Sequence, residues 1–213
     1  MTPRHLLAAA ALTLWLAPLP PLWAKEQTKS APPEPPPATV IQKLRAFLGL
    51  NPPVAIGGSR GTGGATVCLL SPWPGQPVGV LNPVIQAAGP LNEIRLERNG
   101  QLLWQQRASS EHAIEGPVAW PIEPLKPDEV LTLRLRPRGA SGADFASFSL
   151  RVADASTLNA NQARVMALGR DPQTWYAAID GLPPADRSRL AALLSSPEAP
   201  SGLRHALGCT PLP

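Results

Sequence analysis

Asn92-Glu93-Ile94-Arg95-Leu96-Glu97-Arg98-Asn99-Gly100-Gln101-Leu102-Leu103-Trp104-Gln105 is the stretch that decides the fold. Asn99-Gly100 is the preferred pair for a two-residue type I′ turn, which needs positive φ at both central positions. The turn predicts a β-hairpin that pairs Arg98 with Gln101, Leu96 with Leu103 and Ile94 with Gln105. Ile94, Leu96 and Leu103 then share one face, and Trp104 takes the other.

The same period of two extends to both sides. Val130-Leu131-Thr132-Leu133-Arg134-Leu135-Arg136 alternates cleanly and sends its three leucines inward. Gly139 to Asp144 turns the chain, and residues 145–152 set Ala146, Phe148, Leu150 and Val152 against Ser147, Ser149 and Arg151. Upstream, Ala65-Thr66-Val67-Cys68-Leu69-Leu70 reads as a strand stopped by Ser71-Pro72-Trp73-Pro74-Gly75. Pro117 to Ile122 reads as a short edge strand limited by its prolines. Short strands broken by Gly/Pro turns predict a mainly β chain, an immunoglobulin-like antiparallel β-sandwich over residues 65–153.

After Val152 the period becomes helical. Ser156 or Thr157 caps a helix to Leu168. Asp171-Pro172 places a cap before a proline at the first helical position. Pro183-Pro184 opens a third helix with Leu190, Leu193 and Leu194 on its apolar face. These three short helices, within residues 154–196, are expected to cap the sandwich, with 197–213 as a tail.

The chain begins with Arg4, an apolar run from Leu6 to Ala17, prolines at 18, 20 and 21, and Leu22-Trp23-Ala24 before Lys25. That order predicts a signal peptide over 1–24; the run is short for a membrane span, which wants ~20 apolar residues. An uncleaved anchor is the alternative. Either way the rest of the chain is expected outside the cytoplasm, exported to the periplasm or beyond, with no transmembrane segment after cleavage.

Residues 25–64 read as a Pro/Gly-rich arm. Within it Val40, Ile41, Leu44, Phe47 and Leu48 mark one short amphipathic helix over 40–48, expected to dock on its own domain. The Gly57 to Gly64 stretch lacks the lysine of a phosphate loop and leads into a strand, so it is read as an ordinary glycine-rich loop. The net charge of +4 comes from the N-terminal part; beyond it the two signs balance, which argues against nucleic acid as a partner.

Two cysteines in an oxidising compartment usually pair, which predicts a Cys68–Cys209 disulfide. Its loop of about 140 residues corresponds to roughly 4–5 kcal/mol on a chain-entropy account. Two distant cysteines do not make a zinc site, and no metal or cofactor is expected. His112 and His205 stand outside any hydrolase or metalloprotease motif, and the acids sit beside bases as on solvated faces (Glu93/Arg95, Glu97/Arg98, Asp186/Arg187). No enzyme activity is expected.

One strip of charge stands out. Arg134 and Arg136 share the outward face of a strand, Arg138 continues it if the strand lasts, and Arg151 on the neighbouring strand is placed to join them. Such a strip suits recognition of acidic glycans, phosphates or an acidic partner. An ordinary solvent face is the plainer reading. Trp73, Trp104 and Trp120 either line such a surface or fill the core.

Several of these patterns together resemble one family. Gly58-Ser-Arg-Gly-Thr-Gly-Gly-x3-Cys68-Leu-Leu70, the turn and strand from Leu125 to Leu135, and Asp171-x3-Trp175-Tyr176-Ala177-Ala178 are similar to the cyanobacterial secreted family called domain of unknown function 928. The resemblance covers roughly residues 57–196 and implies a fold and an exported location, with no activity attached. The expectation is a non-catalytic cell-envelope protein, an interaction or assembly module with an envelope protein partner. The alternative is a module binding anionic glycan or lipid headgroups through the arginine strip. A hydrolase is third.

Overall fold

The computed structural model describes residues 35–48, 54–56 and 66–205, all within the compact unit Pro33–Pro213. The expected signal peptide, the proline-rich start of the arm, the glycine-rich loop at 57–64 and Cys209 lie outside the described residues. The elements run α1 (Ala38–Leu48), β1 (Val54–Ile56), β2 (Thr66–Ser71), β3 (Gln86–Ala88), β4 (Leu91–Arg98), β5 (Gln101–Arg107), β6 (Val130–Pro137), β7 (Ala146–Arg151), α2 (Ala155–Leu168), α3 (Pro172–Asp180), α4 (Arg187–Ser195) and α5 (Ser201–His205).

The strands form two antiparallel sheets, a three-stranded one ordered β1-β2-β3 and a four-stranded one ordered β5-β4-β6-β7. Helices hold about as many residues as strands, so the expectation of a mainly β chain is corrected. Two features shift the balance. α5 continues the helical part into the expected tail. The prolines of Pro117 to Ile122 leave only an isolated bridge, Ile85 to Val118, in place of a strand. Among the described residues no helix is long and apolar enough to cross a membrane.

The hairpin turns as its sequence predicts. Asn99 and Gly100 take φ of 51° and 79°, and Arg98 pairs with Gln101. The register then slips: Leu96 lies opposite Trp104, not Leu103, and Glu93 opposite Arg107. The extra residue is a β-bulge, which re-aims the side chains beside it. Leu103 and Trp104 consequently both pack on the core. β6 and β7 keep strict alternation. Leu131, Leu133, Leu135, Ala146, Phe148 and Leu150 are buried, while Ser147, Ser149 and Arg151 are exposed.

β2 is buried on both faces, which explains its unbroken apolar run. Val67 and Leu69 join Ile94, Leu96, Leu131 and Leu133 in a core shared by the two sheets. Cys68 and Leu70 point the other way, into a second core with α1 (Val40, Leu44), α3 (Trp175, Tyr176, Ile179), α4 (Leu190, Leu193, Leu194) and Leu203. The arm helix thus docks on its own domain. Each large side chain buried in these cores contributes about 1.5–3 kcal/mol.

Helix starts follow local capping chemistry. Asp171 accepts from the Gln173 N–H with Pro172 at the first helical position. For α2 the cap is Asp154: the Thr157 N–H and the hydroxyls of Ser156 and Thr157 all donate to it, in place of the expected Ser156 or Thr157 cap. Those three donors favour the ionised form and hold the Asp154 carboxyl far below its ordinary range. Gly79 lets α2 and α4 close on the sheet, since a Cβ there would come within 2.6 Å of both Ala192 Cβ and Asn161 Nδ2. The Gly79 carbonyl instead accepts a hydrogen bond from Asn161 Nδ2 at 3.1 Å.

Candidate anion-binding face

The inner face of the four-stranded sheet is core, so strand alternation dictates what its outer face carries. β4 supplies Glu93, Arg95 and Glu97. Its register partners on β6 are Arg136, Arg134 and Thr132. β5 places Arg107 opposite Glu93 and Gln105 opposite Arg95. β7 places Ser147 opposite Arg134 and Ser149 opposite Thr132. Phe145, just before β7, has the same parity.

Glu93 is the centre of this face. Its side chain is only 2% exposed although it lies on the side away from the core. Arg95 Nε donates to Oε1 at 2.7 Å, Arg136 Nη2 donates to Oε2 at 2.7 Å, and Arg107 Nε approaches Oε1 at 3.4 Å. Burial pushes the carboxyl up. The hydrogen bonds from Arg95 and Arg136 and the charges of Arg95 and Arg107 outweigh it, so Glu93 titrates below its ordinary value. It is an anion held by three cations, which is how a charge so little exposed is kept at all.

A second pair sits one step along the strands. Arg134 Nη1 donates to Glu97 Oε1 at 3.4 Å. The Phe145 ring then gathers three guanidinium groups, with the Cζ of Arg95, Arg134 and Arg136 at 4.5, 5.0 and 5.7 Å from its centroid. Cation–π contacts of this kind contribute about 0.5–1 kcal/mol each when exposed. The Nε atoms of Arg134 and Arg136 are buried and find no hydrogen-bond acceptor among the described residues.

The structure thus brings Arg134 and Arg136 together, facing outward as the alternation predicts, and adds Arg95 and Arg107 to them. It does not bring in the other two arginines of the predicted strip. β6 ends at Pro137, and Gly139 turns the chain at φ 84°, so Arg138 is exposed past the strand with its backbone N–H on Pro90 O. Arg151 lies at the far end of β7 from Phe145, opposite Val130. There it lines a separate cleft of about 280 Å³ with Asp128, Asp154, Thr157, Asn161 and Ser188.

The expectation that the acids sit on solvated faces is corrected at Glu93, which strands on both sides and the side chains above it enclose. The partner of Asp186 is Arg189, not Arg187. Glu129 pairs with Arg98. The tryptophans turn inward: Trp104 and Trp120 pack on the shared core, and the Trp120 indole donates to Glu123 O. His112 is exposed on its loop. Cys68 is buried in the helical core.

No family model matches this chain, and no curated protein and no solved structure matches it.

Proposed function

We infer that this chain is an exported, non-catalytic interaction module of the cell envelope, built on an immunoglobulin-like sandwich and related to the secreted family its sequence resembles. Its working surface is the outer face of the four-stranded sheet. One observation carries this reading: four guanidinium groups share that face with two carboxylates and one aromatic ring, so a cationic surplus is fixed in place on an open sheet. A surface held in this way binds without ordering flexible side chains, which lowers the entropy cost of association.

The test is site-specific photo-crosslinking in the producing cell. A photoreactive residue at exposed Gln105, beside the arginines, is expected to give discrete envelope adducts. The same residue at Met166, which is 73% exposed on α2, is expected to give none. Equal labelling at both positions contradicts the reading.

The Cys68–Cys209 bridge belongs to the same proposal. Cys68 shares the helical core with Leu203, which is close in sequence to Cys209. Non-reducing peptide mapping of the exported protein is expected to recover the linked pair; recovery of two separately alkylated thiols contradicts it.

A further inference from the structure

Two arginines of the sheet face are tethered in a way that leaves their terminal amino groups unused by the carboxylate, while Arg134 and Arg136 each commit one such group to Glu97 and Glu93. Arg95 and Arg107 both meet Glu93 through Nε. That carboxylate therefore does not take up their terminal amino groups, whose planar fork suits carboxylate or sulfate oxygens. Glu93 holds Arg95, Arg107 and Arg136, and the Phe145 ring lies against Arg95, Arg134 and Arg136. Exposure is graded across the cluster, with Arg107 at 63%, Arg134 at 33%, Arg95 at 26% and Arg136 at 19%, so Arg107 and Arg134 present the open cations and Arg95 and Arg136 lie deeper.

The spacing is set by the sheet. Arg95 and Arg134 are register partners on adjacent strands. Arg107 and Arg136 reach Glu93 from the strands on either side and converge on its carboxylate, Arg107 Nε at 3.4 Å from Oε1 and Arg136 Nη2 at 2.7 Å from Oε2, so the cations form one dense cluster. Around these cations lie hydroxyl and amide groups, Gln105, Ser147 and Ser149, all exposed. They match the hydroxyls of a sugar chain. A lipid surface fits less well. The exposed large apolar side chains of this sheet are Leu102 beside the hairpin turn and Val130 at the start of β6. Both lie at the hairpin end of the face, Leu102 opposite Glu97 and Val130 opposite Arg151, as two separate side chains rather than the continuous apolar stripe that inserts into a lipid surface.

We propose that the outer face of the four-stranded sheet binds an acidic polysaccharide. Its carboxylate or sulfate groups sit on Arg95, Arg107, Arg134 and Arg136, and its hydroxyls on Gln105, Ser147 and Ser149. This rests on reading that face as the working surface.

The experiment measures binding of the full exported chain to immobilised alginate and dextran sulfate. Neutral dextran, polyglutamate and phosphatidylglycerol vesicles are the comparison arms. The acidic glycans are expected to bind, with affinity falling about tenfold between roughly 50 and 300 mM salt as the charges are screened, and dextran is expected not to bind. Arg95→Gln with Arg107→Gln is expected to lower glycan affinity at least about tenfold. Gln105→Glu with Ser147→Glu keeps every residue of the Glu93 network and is expected to do the same by repelling the ligand and neutralising the cross-strand neighbours Arg95 and Arg134, which answers any loss of folding in the first variant. The proposal is overturned if neither acidic glycan binds, if both double variants bind as the parent does, or if polyglutamate or vesicles bind at least as tightly. If the glycans fail while the Gln105 crosslinks persist, the surface reading survives and only the ligand is wrong. If both fail, both readings fall.

Discussion

Two regions of this molecule hold a little-exposed charge, and they hold it in opposite ways. In the helical layer Arg204 is 5% exposed, and its Nη1 donates to the carbonyls of Leu194 and Ser196 at 3.3 and 2.9 Å. Burial lowers its pKa. It caps the C-terminal carbonyls of α4, where a cation also meets the negative end of the helix dipole. On the sheet face Glu93 is met by three guanidinium groups, and those groups retain donors that it does not use. The first arrangement spends its charge on the fold. The second leaves a surplus facing outward. Substitution in the helical layer should therefore cost stability, and substitution on the sheet face should cost recognition.

The largest effect is expected where the helical layer has no charge at all. Trp175 is fully buried, and its indole N–H donates to Gly169 O at 3.0 Å. Trp175→Ala leaves a cavity and an orphaned carbonyl, and is expected to cost about 3–5 kcal/mol in urea unfolding. A cost under about 1 kcal/mol would mean that the helices do not pack on β2 as described.

Glu93 gives the next effect and sharpens the comparison through pH. Its folded-state pKa lies below its ordinary 4.5. Its stabilisation is therefore complete above that pH and is lost as pH falls through the lower folded value. Glu93→Gln is expected to destabilise at pH 7 by about 2 kcal/mol, less than breaking a fully enclosed pair because Arg107 is largely exposed. It is also expected to flatten the acid limb of the stability profile. Parent and variant profiles that run parallel below pH 4.5 would show that the arginines do not hold this carboxylate.

Sequence reading went furthest where local chemistry decides. Asn99-Gly100 fixes its turn by φ alone, Asp171-Pro172 fixes a helix start, and the leucines of β6 fix which way Arg134 and Arg136 face. It failed where a distant neighbour decides. The bulge beside Leu103 shifts Arg107 opposite Glu93, and no residue of the hairpin announces it. Glu93 meets partners 2, 14 and 43 residues away, so its neighbours in sequence describe only part of its surroundings. The alternation of β4 already placed Glu93, Arg95 and Glu97 on one face. Counting Phe145 on the outward parity of β7 would have put a ring beside the arginines. The three-residue β1 and the capping role of Arg204 left no readable pattern, because both depend on elements that fold back from elsewhere.

The central claim is that stability and recognition reside in different arginines. One paired measurement tests it: alginate affinity per folded molecule, with the urea midpoint, for Arg204→Met beside Arg107→Gln/Arg134→Gln, which removes the two more exposed arginines and leaves Arg95 and Arg136 on Glu93. Arg204→Met is expected to lose about 2–3 kcal/mol of stability, as for hydrogen bonds from a charged group, and to keep the parent's affinity. The double variant is expected to keep its midpoint to within about 1 kcal/mol, as for partly exposed ion pairs, and to lose at least about tenfold in affinity. If affinity instead falls in step with stability in both proteins, or in neither, the sheet face is not a binding surface distinct from the fold that carries it.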